Sequence, residues 1–514
     1  MRLNRLRPIG LALWIAVTLS SAGCEFAAAP ENAPAPNKAP PRGAVPIVGL
    51  NCNPSFDRRT PEEKRVHDSI QADTGVDVRI VFAETSQCKT RRNLMLSSGE
   101  QLNFAEMPII DAIQAYNEGM ILPLNDLLDR YGSNLKKNVA PAAFERATYN
   151  GRILGIPIEN GVMALNALQI REDWLRNLNL PMPRTIGQFE ETMKAFKERD
   201  PDGNGKDDTV PLSTGSGGTL GMLEAVLGSS FMPNGFTWWK DGDGRLMPPE
   251  LHPSYKGMMA KLIEWNREGY IWPDMLLSTA AKQQELIARN KAGAVAATFS
   301  GTILNAGEAL RKTVPDYSYV PFIPEGPGIN KLPNAPIASS VWVLYSKSSD
   351  PAAVMKFFDY QATYEGNMLT WFGIEGETYR RAEGGLVEFI AEDRTDLSKA
   401  KYYAKYKTVF INWPGKPLWP VNAWVMEAYN LKRDQVNRLP RFDYADSKVV
   451  YDISAWKSAP KLNDLNAFLS EQKVKLFNGE LPLDNWDGVM QQWLNMGGRD
   501  MIDDRNRQYA AVMR

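Results

Sequence analysis

Histidine is almost missing from this chain, with two residues, His67 and His252, in 514. Histidine-based catalytic triads and His-ligated zinc centres therefore have little to draw on, and neither residue has a convincing nucleophile or metal context around it. Cysteine is nearly as scarce, at three residues, which is too few for a disulfide-built scaffold. Net charge is lacking as well. The 59 Lys and Arg against 60 Asp and Glu leave -1, so no global basic field exists to hold nucleic acid, and none is expected as a partner. No internal repeat of roughly 20–50 residues is visible, which argues against a solenoid or propeller. What the chain does have is length and aromatic surface. At 514 residues it exceeds the size at which a single core stops growing, so two domains are expected. Its 14 Trp, 18 Tyr and 19 Phe exceed what a core alone demands, and the surplus suits stacking against a ligand.

The N-terminus sets the compartment. Arg2, Arg5 and Arg7 form a positive segment, Ile9 to Leu19 an apolar one too short to span a bilayer, and Ser21-Ala22-Gly23 a small-residue cleavage site before Cys24. The arrangement resembles a bacterial lipoprotein signal, which implies removal of residues 1–23, a lipid (palmitate-bearing) anchor on Cys24 and an extracellular or periplasmic location at the cell membrane. Residues 24–44 then read as a tether, rich in Ala and Pro and without apolar patterning. With Cys24 set aside, Cys52 and Cys88 remain. In an oxidising compartment they read as a disulfide, worth about 3–4 kcal/mol for a loop of this length, against the alternative of two buried thiols.

The most telling internal stretch is Asp200-Pro-Asp-Gly-Asn-Gly-Lys-Asp-Asp-Thr209. Asp200, Asp202 and Asn204 fall at positions 1, 3 and 5 of an EF-hand-type loop, Gly205 supplies the turn, and Lys206 offers its backbone carbonyl. Calcium is the natural reading. Pro211 stands where a sensor loop needs a bidentate Glu, so Asp208 or Asp207 must complete a shorter shell, and the ion is structural rather than signalling. A solvated Asp/Gly turn without metal is the alternative.

Before that loop, strand and helix alternate. Ala44 to Leu50 reads as a buried strand, followed by a helix with Thr60 as N-cap, Pro61 at its first position, Glu63 closing a capping box and Gly75 as stop. Val76 to Phe82 alternates as a strand, and a helix around Lys89 to Ser98 ends at Gly99. This β-α-β order implies a parallel sheet covered by helices. Further on, Val162 to Ile170 reads as a strand, Thr185 caps a helix over Ile186 to Glu198, and the strand Ser340 to Leu344 precedes an amphipathic helix over Pro351 to Tyr360. The last hundred residues read as mainly helical.

Several segments together carry a resemblance: Glu118-Gly-Met-Ile-Leu-Pro-Leu-Asn-Asp-Leu127, Tyr149-Asn-Gly-Arg-Ile-Leu-Gly-Ile-Pro157, Arg171-Glu-Asp-Trp-Leu175, Pro183 to Phe189, Asp350 to Tyr360, and Gly373-Ile-Glu-Gly-Glu377. In this order the chain resembles the extracellular solute-binding proteins of ABC importers, close to the alginate-binding lipoproteins and more distantly the maltose-binding protein. The resemblance implies an α/β, two-lobed, periplasmic-binding-protein-like (type II) fold with a ligand cleft between the lobes. On this sequence the lobes are 45–160 plus 340–375 and 161–339 plus 376–514. Crossings are expected near Pro157 to Leu165, near Ser339 to Tyr345 and after Trp371. The resemblance also supports Asp200, Asp202, Asn204, Lys206 and Asp208 as the calcium ligands.

Sugar rings stack their C–H faces on aromatics and offer hydroxyls to planar carboxylates and amides. The candidates for such contacts are Asp111, Glu159, Asn160, Trp238, Trp239, Phe299, Trp342, Trp371, Trp413 and Trp419; packing or capping is the plain alternative for each. The expected function is capture of a carbohydrate, an oligosaccharide or uronate-type glycan, by a monomer that closes over it and hands it to a membrane permease, with no enzymatic activity. The alternatives are a secreted carbohydrate-active enzyme with a carboxylate pair, and a peptide receptor of the same fold.

Overall fold

Most strands of the two large sheets are buried along nearly their whole length, as expected where helices cover both faces of a sheet. The computed structural model describes residues 43–54, 57, 60–159, 166–215, 219–298, 304–381, 387–390, 404–409, 411 and 434–513. In chain order its main elements are β1 (Val45–Asn51), α1 (Pro61–Thr74), β2 (Val76–Phe82), α2 (Cys88–Ser98), β3 (Phe104–Pro108), α3 (Ile109–Asn117), β4 (Ile156–Glu159) and β5 (Asn166–Arg171). Then follow α4 (Ile186–Glu198), β6 (Val210–Thr214), α5 (Gly221–Phe231), α6 (Tyr255–Arg267), β7 (Ala292–Thr298), β8 (Tyr319–Phe322) and β9 (Ala338–Leu344). The chain continues through α7 (Pro351–Gln361), α8 (Tyr364–Phe372), α9 (Leu462–Phe477), α10 (Trp486–Trp493) and α11 (Arg499–Val512).

Two sheets result. The first has the order β2-β1-β3-β9-β4, with β1 parallel to β2 and β3 and with β9 antiparallel to β3 and β4. The second has the order β8-β5-β7-β6, with β7 parallel to β6 and antiparallel to β5. Each has its own core. Phe104 anchors the first, 5.2 Å from the Phe358 ring and 5.9 Å from Trp342. Residue 49 must be glycine there, since a Cβ would sit 2.1 Å from the Phe104 ring. In the second core Phe189 lies 5.7 Å from Trp265 and 5.3 Å from Phe322, and Trp174 meets Phe196 edge-on at 5.3 Å. Burying each such ring is worth about 1.5–3 kcal/mol, so each lobe carries its own driving force. Helices α9, α10 and α11 pack on the second core through Leu465, Leu476, Trp486, Trp493 and Ile502.

The chain passes between sheets twice among these elements: after β4, between Glu159 and Asn166, and after β8, between Phe322 and Ala338. The second passage lies ahead of the expected Ser339 to Tyr345, because Ala338 to Leu344 is already a strand of the first sheet with the fully buried Val341 and Leu344. Tyr406, Val409 and Ile411 still pack on the first core, and Val450 packs against it as well, so the chain returns to it after Leu344.

One local expectation fails for a visible reason. Thr60 precedes α1, yet its Oγ1 is buried without a partner, and Glu63 closes no capping box, because its carboxylate takes the Lys405 ammonium at 2.6 Å. At α4 the expected cap forms, with Thr185 Oγ1 accepting the Gln188 N–H at 3.2 Å.

Candidate functional site

Ligand sites in α/β sheets gather where parallel strands end. On the first sheet those ends are Asn51, Phe82 and Pro108; on the second they are Thr214 and Thr298, with Asn166 beside Thr298 in register. At the first edge Cys52 and Cys88 are joined as a disulfide, Cα atoms 5.5 Å apart, which ties the end of β1 to the start of α2. Asp111 stands in the first turn of α3, not at its cap, 3.6 Å from Arg92 and 3.8 Å from Lys89. That helix start favours its negative charge. Glu106, unremarked in the sequence although it interrupts the apolar run Phe104-Ala-Glu-Met107, lies opposite Trp342 near the end of β3. Burial raises its carboxyl pKa, against a lowering hydrogen bond from the Cys52 N–H.

Glu159 ends β4, and its Oε1 accepts the Ala140 N–H at 2.8 Å. Burial raises its pKa and that hydrogen bond partly opposes the shift. Two tryptophans expected in the cleft belong to packing instead. Trp342 is 2% exposed, set edge-on to Phe104, with its indole N–H donated to the Thr408 carbonyl at 2.7 Å. Trp371 is 4% exposed, donates to Val409 O at 3.2 Å and carries the Lys407 ammonium 3.7 Å above its ring. A side chain enclosed this way has no face to offer a sugar. Trp238 lies under the Arg505 guanidinium at 4.2 Å, and Trp239 donates to Pro248 O at 3.1 Å with its ring 4.6 Å from His252. Asn160, Phe299, Trp413 and Trp419 lie outside the described residues.

The acidic loop joins α4 to β6. Asp200 and Gly205 both have left-handed backbone, φ 45° and 75°, which Gly205 adopts without strain. Asp200 accepts the N–H groups of Asn204 at 3.1 Å and Gly205 at 2.8 Å, and the Gly205 bond is the main cause holding its pKa down. Asp202 sits beside it with its side chain 2% exposed; burial first and the neighbouring carboxylate second raise its pKa. Its Oδ1 is buried and receives no hydrogen bond. The Asn204 amide donates to Asp202 Oδ2 at 2.7 Å and to Asp208 Oδ1 at 3.1 Å. Lys291 completes the cluster, its Nζ 2.5 Å from Asp208 Oδ1 and 3.3 Å from Asp202 Oδ2. Among the described residues no three His, Cys, Asp or Glu side chains converge as a ready metal centre. The residues nevertheless fit a hard cation: the donors are oxygens in the right alternation, and the orphaned Asp202 Oδ1 is the kind of buried acceptor that a cation satisfies.

Comparison with known proteins places this architecture. The family model of bacterial extracellular solute-binding proteins matches residues 64–368. The polygalacturonan/rhamnogalacturonan-binding protein YtcQ of Bacillus subtilis (strain 168) is 23% identical over 521 aligned residues, covering 98% of this chain and 98% of its own. Among solved structures, the alginate-binding protein AlgQ2 without calcium ion superposes with a TM-score of 0.67 at 21% identity, over 92% of this chain and 99% of its own. The Streptococcus pneumoniae substrate-binding protein FusA, as an EF-hand mutant in complex with fructo-nystose, superposes with a TM-score of 0.70 at 17% identity, over 91% and 99%. The two structures share the two-lobed fold.

Proposed function

The chain belongs to the family of bacterial extracellular solute-binding proteins, and from that membership we propose that it captures a carbohydrate by cleft closure and delivers it to an ABC permease. The observation that carries this reading is the end-to-end correspondence with a polygalacturonan/rhamnogalacturonan-binding protein, 98% of both chains, on a fold of two large mixed sheets, each with its own core. A uronate-type oligosaccharide is the favoured ligand class. Asp111, Glu106 and Glu159 supply carboxylates for sugar hydroxyls, with Arg92 and Lys89 on hand for a ligand carboxylate. The role is binding, not hydrolysis. In this reading residues 1–23 are the signal peptide, Cys24 carries the lipid, 24–44 is the tether, and the protein works as a monomer on the outer face of the membrane. The lobes divide as 45–160 plus 340–375 and 161–339 plus 376–514, with Tyr406, Val409 and Ile411 folded back on the first lobe. Calcium, held by Asp200, Asp202, Asn204, the Lys206 carbonyl and Asp208, braces the second lobe.

Isothermal titration of the purified chain against galacturonate, rhamnogalacturonan, alginate and fructan oligosaccharides, beside a peptide panel, tests the reading. One glycan class should bind with negative heat-capacity change and the peptides should not. Folded protein that takes up peptides and no glycan would overturn it.

A further inference from the structure

The acidic loop receives a positive charge from far along the chain. Lys291 lies 83 residues beyond Asp208, directly before β7, and its carbonyl accepts the Val210 N–H at 2.7 Å where the loop runs into β6. Asn290, at φ 62°, makes the turn that presents it. The main-chain bond therefore fixes Lys291 beside the loop, and its ammonium bridges Asp208 Oδ1 and Asp202 Oδ2, at 2.5 and 3.3 Å. The side chain is only 21% exposed. Asn204 works in the same direction: its amide nitrogen joins those two carboxylates, while its Oδ1 accepts the Lys206 N–H at 2.8 Å and so turns away from them. Ammonium and amide together draw the loop's carboxylates inward, the task a divalent ion performs in an EF-hand-type loop.

We propose that Lys291 is the loop's resident cation, which keeps the loop folded without metal and sets a low calcium affinity, because calcium must share or displace an ammonium already paired with two of its ligands. Calcium then adds stability without being required for the fold. The calcium half of this inference rests on the proposed ligand set; the metal-free half does not. Like charges a few ångströms apart repel strongly in partly buried surroundings, so the lysine's effect on calcium affinity should be large.

The experiment compares the full chain with K291M, which keeps the stem and loses the charge, and K291R, which keeps both. Calcium binding is read by calorimetry on chelator-stripped protein, and Tm is read in chelator and in saturating calcium. The wild-type Tm should fall only slightly in chelator. K291M should lose several degrees in chelator, recover them with calcium, and bind calcium about tenfold tighter or more, with K291R close to wild type. Equal calcium affinities for wild type and K291M, or a wild type that unfolds on chelation, would overturn the proposal. If neither protein binds calcium, the ligand assignment fails separately. A K291M drop in chelator would then still support the lysine as resident cation, and no drop would overturn it. Should K291M not fold, the small wild-type chelation effect remains the deciding measurement.

Discussion

Glu159 closes β4 with its carboxyl half-buried and bonded to one backbone N–H, and burial is the stronger influence on it. A carboxyl whose folded pKa lies above its unfolded value holds a proton longer in the folded state. Its contribution is therefore intact below the unfolded value and is lost as pH rises through the folded one. The window opens at the ordinary glutamate value of 4.5 and extends upward. Glu159→Gln keeps the oxygen that accepts from Ala140 and removes the charge, so it should leave stability unchanged in acid and raise it slightly at neutral pH. Denaturant titration at both pH values checks this; a mutant destabilised at neutral pH would mean that the fold stabilises the charged carboxylate. The same residue shows what the sequence could reveal. A polar residue ending an apolar strand is legible as a site candidate, whereas Trp342 and Trp371 look alike in sequence whether they stack on a sugar or fill a core. What decides between those roles is the covering segment: Thr408, Val409 and Lys407 close over both rings, and they come from 36 residues or more away in the chain.

Helix pairs in the second lobe meet around a buried ion cluster that no sequence period announces. Lys473 on α9 lies 3.0 Å from Glu224 on α5 and 2.7 Å from Glu250, and the hydroxyl of Tyr255 on α6 donates to Glu224 at 2.9 Å. Burial opposes the ammonium's charge, yet the two carboxylates outweigh it and hold its pKa above the usual range. Three elements far apart in sequence are thus pinned by one charge. Lys473→Ala leaves two uncompensated carboxylates and should cost about 3–5 kcal/mol, measured by denaturant unfolding. The triple change Lys473→Met, Glu224→Gln, Glu250→Gln should recover most of that loss, because it removes the buried charges together. A triple variant as unstable as Lys473→Ala would mean that packing, not charge, fastens these helices. Elements as such were largely legible: the helices at Pro61, Ile186 and Pro351 begin where their proline or Thr cap predicts. The ion cluster was not, since i,i+4 logic finds pairs within a helix and Lys473 is 249 residues from Glu224. The acidic loop falls between these cases. Its oxygen alternation is local and readable, while its Lys291 partner is set by the parallel pairing of β6 and β7.

For the molecule as a whole, closure requires the lobes to move about whatever joins them, and one residue, Asp452, bonds to elements of both. Asp452 Oδ2 accepts from Asn117 at the end of α3, at 2.9 Å, and from the Tyr149 hydroxyl at 3.1 Å, both built on the first core. Its backbone exchanges two hydrogen bonds of 2.8 Å with Gln508 of α11, which packs on the second core. Arg146 adds a bond to the Val449 carbonyl at 2.9 Å nearby, and Val450 packs on the first core while Val449 and Tyr451 pack against residues of α11. This strap lies far along the chain from the passages after β4 and β8, so it restricts motion that those two linkers alone would leave free. A binding protein held about a restricted axis spends less ligand-binding free energy on ordering its lobes, and loosening the axis must weaken the ligand without touching it. Asp452→Ala should therefore lower glycan affinity roughly three- to tenfold. It should also broaden the small-angle scattering profile of the unliganded protein, while the ligand-bound profiles of mutant and wild type coincide. An unchanged affinity beside a lowered Tm would instead make Asp452 a local staple, and the closing motion would have to turn on the two linkers alone.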